Sequence, residues 1–263
     1  MKSLLSIFLY FTFLTFTFNC SAEPANTLKT KLSSKVLNEE RTIRVILPKE
    51  YHKSNISYNV LYILDGDVDD LLKEAESANA SLDITNSFGE FIIVGIHTRR
   101  NRDRDMIPDK ISSRSGAGGA DKFLLFLNSE LKPYIEKNYR TNGRNIIFGG
   151  SNGGLFVTYT FLAKPESFNY YIAASSMIGH NKNLMYKLLN KIPENAEVYS
   201  NQEIYFNYGG DDYEGTTNYL PQFYNELSKV LPGRVKHKLE FLKEKEHVPE
   251  GSIINGLLFF VED

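Results

Sequence analysis

Residues 145–163 read NIIFGGSNGGLFVTYTFLA. Three consecutive apolar residues, Ile146–Phe148, predict a strand buried on both faces, and the apolar run after Gly154 predicts a helix packed on it. Between them lies Gly149-Gly150-Ser151-Asn152-Gly153, a G-x-S-x-G pentad at the turn from strand to helix. A serine held in such a strained turn presents its hydroxyl clear of the sheet at a helix N-terminus, and the backbone N–H of Asn152 is left free to donate to a developing oxyanion. Side chains two residues before and after the serine are expected to clash there, which accounts for Gly149 and Gly153. No Lys-Ser or Lys-Thr follows the glycines, so a phosphate-binding loop is disfavoured.

Working outward, the same type of short, continuously apolar run recurs at Val60–Leu64, Phe91–Ile96, Tyr171–Ala174 and Ile204–Tyr208. Helical periodicity fills the intervals. Phe123, Leu127, Leu131 and Tyr134 recur at helical spacing, with Pro133 predicting a kink late in that helix, and Leu220, Phe223, Leu227 and Val230 form one face of a helix ending at Pro232-Gly233. Leu28–Pro48 reads instead as two antiparallel strands, the second alternating through Thr42-Ile43-Arg44-Val45-Ile46. The expected fold class is α/β: a mostly parallel central sheet entered through an antiparallel N-terminal hairpin, with helices on both faces.

A nucleophilic serine of this strand–turn–helix type is followed along the chain by an acid and then by a histidine. Of the five histidines, His52 and His97 precede Ser151, and His180 follows it too soon to leave room for an acid on the next strand. His237 falls within the alternating stretch Val235–Phe241 and reads as a half-buried strand residue. His247 lies beyond that strand in the polar loop EKEHVPEGSI, where a general base would be presented. For the acid, the strand Ile204–Tyr208 runs into Gly209-Gly210-Asp211-Asp212-Tyr213-Glu214. Asp212 is the first choice, Glu214 the second and Asp211 the third, and two of these three are ordinary turn or cap residues.

Composition narrows the partners. The 263 residues carry 30 basic and 32 acidic side chains, so no electrostatic footprint for nucleic acid exists. One cysteine excludes a disulfide framework, Cys-rich zinc sites and CxxC redox chemistry. Lys2 followed by the apolar stretch Leu4–Phe18 and the small residues Cys20-Ser21-Ala22 reads as an export signal, residues 1–22, leaving one domain over residues 23–263 in the periplasm or outside the cell. The apolar stretch is short for a membrane anchor, and Thr17-Phe18-Asn19 lacks the Leu and small residue that would mark Cys20 for lipid attachment.

Several ordered blocks together resemble a known family: LNEERTIRVILPKEY near the start, VLYILDGD at Val60–Asp67, VGIHTRRNRDRDMIP at Val94–Pro108, the segment Gly118–Thr141, IIFGGSNGGLF, PESFNYYIAASS and the terminal HVPEGSIINGLLFF. The chain resembles the exported α/β-hydrolase esterases of the esterase D and siderophore-esterase group, and more distantly S-formylglutathione hydrolases and mycolyltransferases. The resemblance implies an α/β-hydrolase fold and a serine hydrolase that cleaves small-molecule carboxylic esters through an acyl-enzyme, with Ser151 as nucleophile, His247 as base and no metal or organic cofactor. It places the second oxyanion N–H at Gly66 or Asp67, and it gives the Arg and Asp residues of Arg102–Asp105 a pairing role that braces a loop above the site. Arg99, Arg100 or Arg102 as a grip for an anionic substrate is the alternative for that charge run. Ser175-Ser176-Met177-Ile178 lacks the Pro and Trp often found after this strand, so the neighbouring pocket is expected to differ. Two other functions fit the fold class, acyl transfer to an alcohol or thiol and a non-catalytic binding protein, and an intact Ser-x-Gly turn with a correctly ordered histidine argues against the second.

Overall fold

The computed structural model describes residues 26–262, so the leader read at residues 1–22 lies outside the described residues. The continuous apolar runs form strands with no exposed position: β3 (Tyr58–Leu64) and β4 (Phe91–Ile96) are buried throughout. Preceding them are β1 (Thr27–Ser34) and β2 (Glu39–Ile46), the expected hairpin. Beyond them lie β5 (Thr141–Gly150), β6 (Tyr170–Ala174), β7 (Glu203–Asp211) and β8 (His237–Glu246). All eight join one sheet in the order β1-β2-β4-β3-β5-β6-β7-β8. β1 and β2 are antiparallel to their neighbours and every other pairing is parallel. This is the α/β-hydrolase arrangement.

Alternate strand residues point to opposite faces and build two apolar layers. On one face α1 (Asp69–Ala80), α2 (Leu82–Phe88) and the C-terminal helix cover Leu61, Ile63, Ile93, Phe148 and Ile172. On the other face, after the short α3 (Arg102–Met106), lie α4 (Ala120–Phe126), α5 (Lys132–Asn138), α6 (Asn152–Ala163), α7 (Lys182–Leu189) and, past the single turn α8 (Glu214–Thr217), α9 (Leu220–Val230). These pack on Val60, Tyr62, Val94, Ile147 and Tyr171. The C-terminal helix is α10 (Ser252–Val261). Buried from Asn152 to Leu162, α6 has apolar residues all round because it is enclosed between the sheet and its neighbouring helices.

The Pro133 irregularity falls earlier than the sequence suggests. Proline has no N–H to return to the carbonyl four residues back, and its ring crowds that carbonyl. The chain widens into a π turn over Leu127–Leu131 and then starts α5 with Pro133 in its first turn.

Because β3, β5, β6, β7 and β8 run parallel, their C-terminal ends meet at one edge of the sheet. Asp65, Ser151, Ser175, Asp212 and His247 each follow immediately on one of those ends.

Candidate active site

Ser151 stands between β5 and α6 at φ 60° and ψ −119°, a backbone conformation that L-residues rarely adopt. Its N–H donates to the Ala174 carbonyl and its own carbonyl accepts from Leu155 N–H, so the turn is fixed from both sides. A Cβ at Gly149 would fall 2.5 Å from the Gly153 backbone, and this close approach accounts for the first glycine of the pentad. Gly153 departs from the expectation: the nearest atoms to a Cβ there, from Leu64 and Met106, are 3.7 Å away, so a methyl group would fit. The second constraint lies instead at Gly150, where a Cβ would run into the Val248 side chain at 2.6 Å. This packs the residue before the serine directly against the residue after His247.

Asp212 and His247 are brought together. His247 Nδ1 lies 2.6 Å from Asp212 Oδ1, and the Asp212 side chain is fully buried. Burial alone would push the Asp212 carboxyl up, but the His247 ring, the Ser175 hydroxyl and the Tyr213 N–H outweigh it and hold the group below the usual carboxylate value. Asp211 ends β7 exposed and Glu214 is exposed in the first turn of α8, and among the described residues the only carboxylate bonded to the histidine is Asp212. His237 is half-buried on β8 with Nδ1 3.0 Å from the Tyr224 hydroxyl, as a strand histidine with a local partner.

Ser151, Asn152, His180, Tyr213, His247 and Val248 line a common cleft of about 460 Å³, together with Asp65, Val68, Leu71, Met177 and three arginines. The Tyr213 ring lies 4.3 Å from the His247 ring, centroid to centroid, and covers one of its faces. Ser151 Oγ makes no hydrogen bond among the described residues, so the serine and the histidine share the cleft without a closed contact.

The loop after β3 narrows one expectation. Gly66 N–H donates to the Ile96 carbonyl at 2.8 Å, because the Gly66 backbone is pressed against Gly95 of β4. That N–H is therefore unavailable to an oxyanion. Val68 N–H is likewise bound, to Asp65 O at 2.8 Å. Among the described residues Asp67 N–H has no acceptor, which leaves Asp67 of the two residues named from the sequence.

The charge run of Arg99–Asp105 divides by position. Arg102 Nε donates to Asp65 Oδ2 at 2.9 Å and one Nη donates to the Gly150 carbonyl at 2.7 Å, so this side chain ties the β3 loop to the serine turn. Arg104 makes a two-pronged contact with Glu39 and a further bond to Asp105, and the buried Arg41 meets Asp105 at 2.6 Å. Both Arg104 and Arg41 hold the Glu39 carboxyl below its usual value despite the opposing effect of burial. Arg99 remains exposed at the cleft, whereas Arg100 opens onto a separate depression beside Asp67 and His97.

Two residues assigned no catalytic or positioning role from the sequence complete the arrangement. Ser175, fully buried at the end of β6, donates to Asp212 Oδ2 and accepts the Val248 N–H. His180, set aside as a base by its place in the chain, reaches the cleft through Asn152, whose Oδ1 is 2.9 Å from His180 Nδ1. The one signal in the sequence at this wall was the absence of Pro and Trp after Ser175. Among the described residues no group of three or more His, Cys, Asp or Glu side chains could hold a metal ion, and no helix is long and apolar enough to cross a membrane.

Comparison with known proteins agrees with this architecture. The ferri-bacillibactin esterase BesA of Bacillus subtilis is 33% identical over 169 residues, covering 57% of this chain and 58% of that protein. The siderophore triacetylfusarinine C esterase of Aspergillus fumigatus is 30% identical over 132 residues, covering 46% of this chain and 45% of that one. The chain thus spans less than two thirds of the length of these curated relatives. Among solved structures, the BES protein from Bacillus cereus superposes with a TM-score of 0.79 at 23% identity, covering 95% of this chain and 99% of that one. An IroE-like serine hydrolase from Shewanella oneidensis gives a TM-score of 0.78 at 24% identity, covering 88% and 79%. At these identities the superpositions establish the α/β-hydrolase fold. The family model described as putative esterase matches residues 34–251, most of the chain. The chain belongs to the putative esterase family.

Proposed function

We propose that the protein is a serine hydrolase that cleaves carboxylic esters, with Ser151 as nucleophile, His247 as general base and Asp212 as the acid. The observation that carries this reading is the Asp212–His247 contact at 2.6 Å on the cleft that holds the strained Ser151. In this scheme His247 Nε2 takes the Ser151 proton as Oγ attacks the ester carbonyl. The buried Asp212 carboxylate fixes the Nδ1–H tautomer and stabilises the imidazolium that forms. Asn152 N–H and Asp67 N–H donate to the tetrahedral oxyanion. Collapse expels the alcohol, which takes the proton from His247. Water then attacks the acyl-enzyme with His247 again as base, releasing the carboxylic acid and restoring Ser151.

The names of the curated relatives support a siderophore ester as the substrate class. The same reading places the protein outside the cytoplasm, with residues 1–22 removed as an export signal and residues 23–263 forming the hydrolase domain. Purified protein is expected to hydrolyse p-nitrophenyl butyrate and to be labelled on Ser151 by a fluorophosphonate probe. Ser151→Ala is expected to lower the rate by several orders of magnitude. An unchanged rate in that variant overturns the assignment.

A further inference from the structure

The cleft contains a second histidine that the proposed chemistry does not use. His180 sits in the turn after β6, between Met177 and α7, and its ring lines the same cleft as Ser151 and His247. Its protonation pattern follows from its partners. Asn152 Nδ2 lies 2.9 Å from Asp103 Oδ1, and a carboxylate only accepts, so this contact fixes which end of the Asn152 amide is the donor. The other end, Asn152 Oδ1, faces His180 Nδ1 at 2.9 Å and also only accepts, so Nδ1 carries the proton. Burial, with Arg114 adding to it and Asp103 opposing, pushes the His180 ring below the usual imidazole value and favours the neutral form. A neutral ring protonated on Nδ1 has a bare lone pair on Nε2. Among the described residues Nε2 has no partner.

We infer that His180 is a specificity-determining residue whose Nε2 accepts a hydrogen bond from a hydroxyl that the ester substrate carries close to its scissile carbonyl. The inference rests on the proposed serine-hydrolase reading. Proximity to the carbonyl follows from Asn152, which holds His180 through its side chain and offers its backbone N–H beside the nucleophile. Arg99 and Arg114 on the same cleft donate only, and the Asp65 and Asp103 carboxylates that also line it are already met by Thr98 and Arg102 and by Asn152 and Arg114, so His180 Nε2 is the unpartnered ring acceptor left to recognise a neutral donor. The class of substrate is therefore a hydroxylated ester, in preference to its deoxy analogue.

The test compares matched esters: ethyl lactate with ethyl propionate, ethyl 3-hydroxybutyrate with ethyl butyrate, and 2-hydroxyethyl butyrate with propyl butyrate. Each is assayed with the wild type and with His180→Asn. An asparagine amide can occupy the Nδ1 position and keep the bond to Asn152, while it lacks an atom at Nε2. Dividing the variant's kcat/KM ratio by that of the wild type cancels the intrinsic reactivity of each pair. For at least one pair the hydroxyl preference is expected to fall by about three- to tenfold in the variant, the size of one lost hydrogen bond. A purely structural role would lower both members of a pair alike, and unchanged ratios in all three pairs overturn the inference. Independently of any variant, 15N NMR of the histidine rings at neutral pH is expected to show His180 as the Nδ1–H tautomer, and an Nε2–H tautomer overturns the inference. If the wild type hydrolyses none of the six esters and a fluorophosphonate leaves Ser151 unlabelled, the serine-hydrolase reading itself fails and takes this inference with it.

Discussion

The Ser175 hydroxyl donates to Asp212 Oδ2 at 2.5 Å and in the same position accepts the Val248 N–H at 2.8 Å. A single buried oxygen thus fixes the carboxylate and the backbone that follows His247. Ser175 and Val248 both sit at positive φ, 47° and 54°, a strain that non-glycine residues adopt where the surroundings hold them there. Ser175→Ala removes the donor to a buried charge and the acceptor for a backbone N–H in one step. A hydrogen bond to a charged group contributes about 1.5–3 kcal/mol, so kcat is expected to fall by about ten- to a hundredfold. Because Ser175 does not face the cleft, KM is expected to change little. Steady-state kinetics on a p-nitrophenyl ester decide this, and a change confined to KM contradicts the positioning role.

Asp212 carries a pH signature with a definite sign. Its carboxyl is held below the ordinary value in the folded protein, since the bonds from His247, Ser175 and the Tyr213 N–H exceed the penalty of burial. A group whose folded value is depressed adds stability above its unfolded value, near 3.9, and loses it as pH falls through the folded value. Asp212→Asn is therefore expected to be less stable than wild type at pH 7, with the difference shrinking as pH falls below about 4. Its activity is expected to drop by about 10³- to 10⁴-fold, because an amide no longer holds His247 in the Nδ1–H tautomer. Urea unfolding at pH 7 and pH 3 checks the first expectation, and a difference that grows on acidification contradicts it.

Arg102 connects the ends of two neighbouring strands beyond their last paired residues, Ile63 and Phe148, by bridging the Asp65 carboxylate after β3 and the Gly150 carbonyl of β5. The planar guanidinium donates from Nε and Nη in fixed directions, a geometry that an ammonium does not reproduce. With Arg102→Ala the serine turn and the Asp67 N–H lose their common anchor, and displacements of about 1 Å at reacting groups cost on the order of a hundredfold in rate. Arg102→Lys is expected to recover only part of that loss. Fluorophosphonate labelling rates for the three proteins provide the measurement. Equal labelling of wild type and Arg102→Ala argues that the bridge plays no part in presenting Ser151.

Much of the sheet was legible because strands buried on both faces have to be apolar on successive residues, and Val60–Leu64, Phe91–Ile96 and Tyr171–Ala174 leave no other reading. The serine turn was legible for a similar local reason: Gly149 needs to lack a side chain where α6 doubles back on β5. Chain order together with a place just past a strand end singled out Asp212 and His247. What escaped were contacts set by how separate loops meet at the sheet edge. Ser175 is 37 residues from Asp212 and 73 from Val248, and no periodicity links them. His180 was weighed only as a base, since its role toward Asn152 depends on Asp103 arriving from α3 on the far side of the amide. The Gly66 N–H looked free because the register that brings it against Ile96 belongs to the neighbouring strand.

The helix behind the histidine loop offers a further stability test at Glu74. From α1 its carboxylate accepts the N–H groups of Ile253 and Ile254, which open α10 and have no partner within their own helix. Burial raises the Glu74 carboxyl above its usual value, and the backbone donors only partly offset that. A raised acid binds its proton more tightly in the folded state, so ionisation costs stability as pH climbs from the unfolded value through the folded one. Glu74→Gln retains an oxygen for both N–H groups and removes the buried charge. It is expected to match or exceed wild-type stability at pH 7 and to flatten the stability profile between about pH 4 and 6. Glu74→Ala leaves two backbone donors of α10 unpartnered and is expected to lose about 1–3 kcal/mol. Urea unfolding across pH 4–8 separates the cases, and a Gln variant destabilised as much as the Ala variant shows that the negative charge at the head of α10, and not the hydrogen bonding, is what holds the helix.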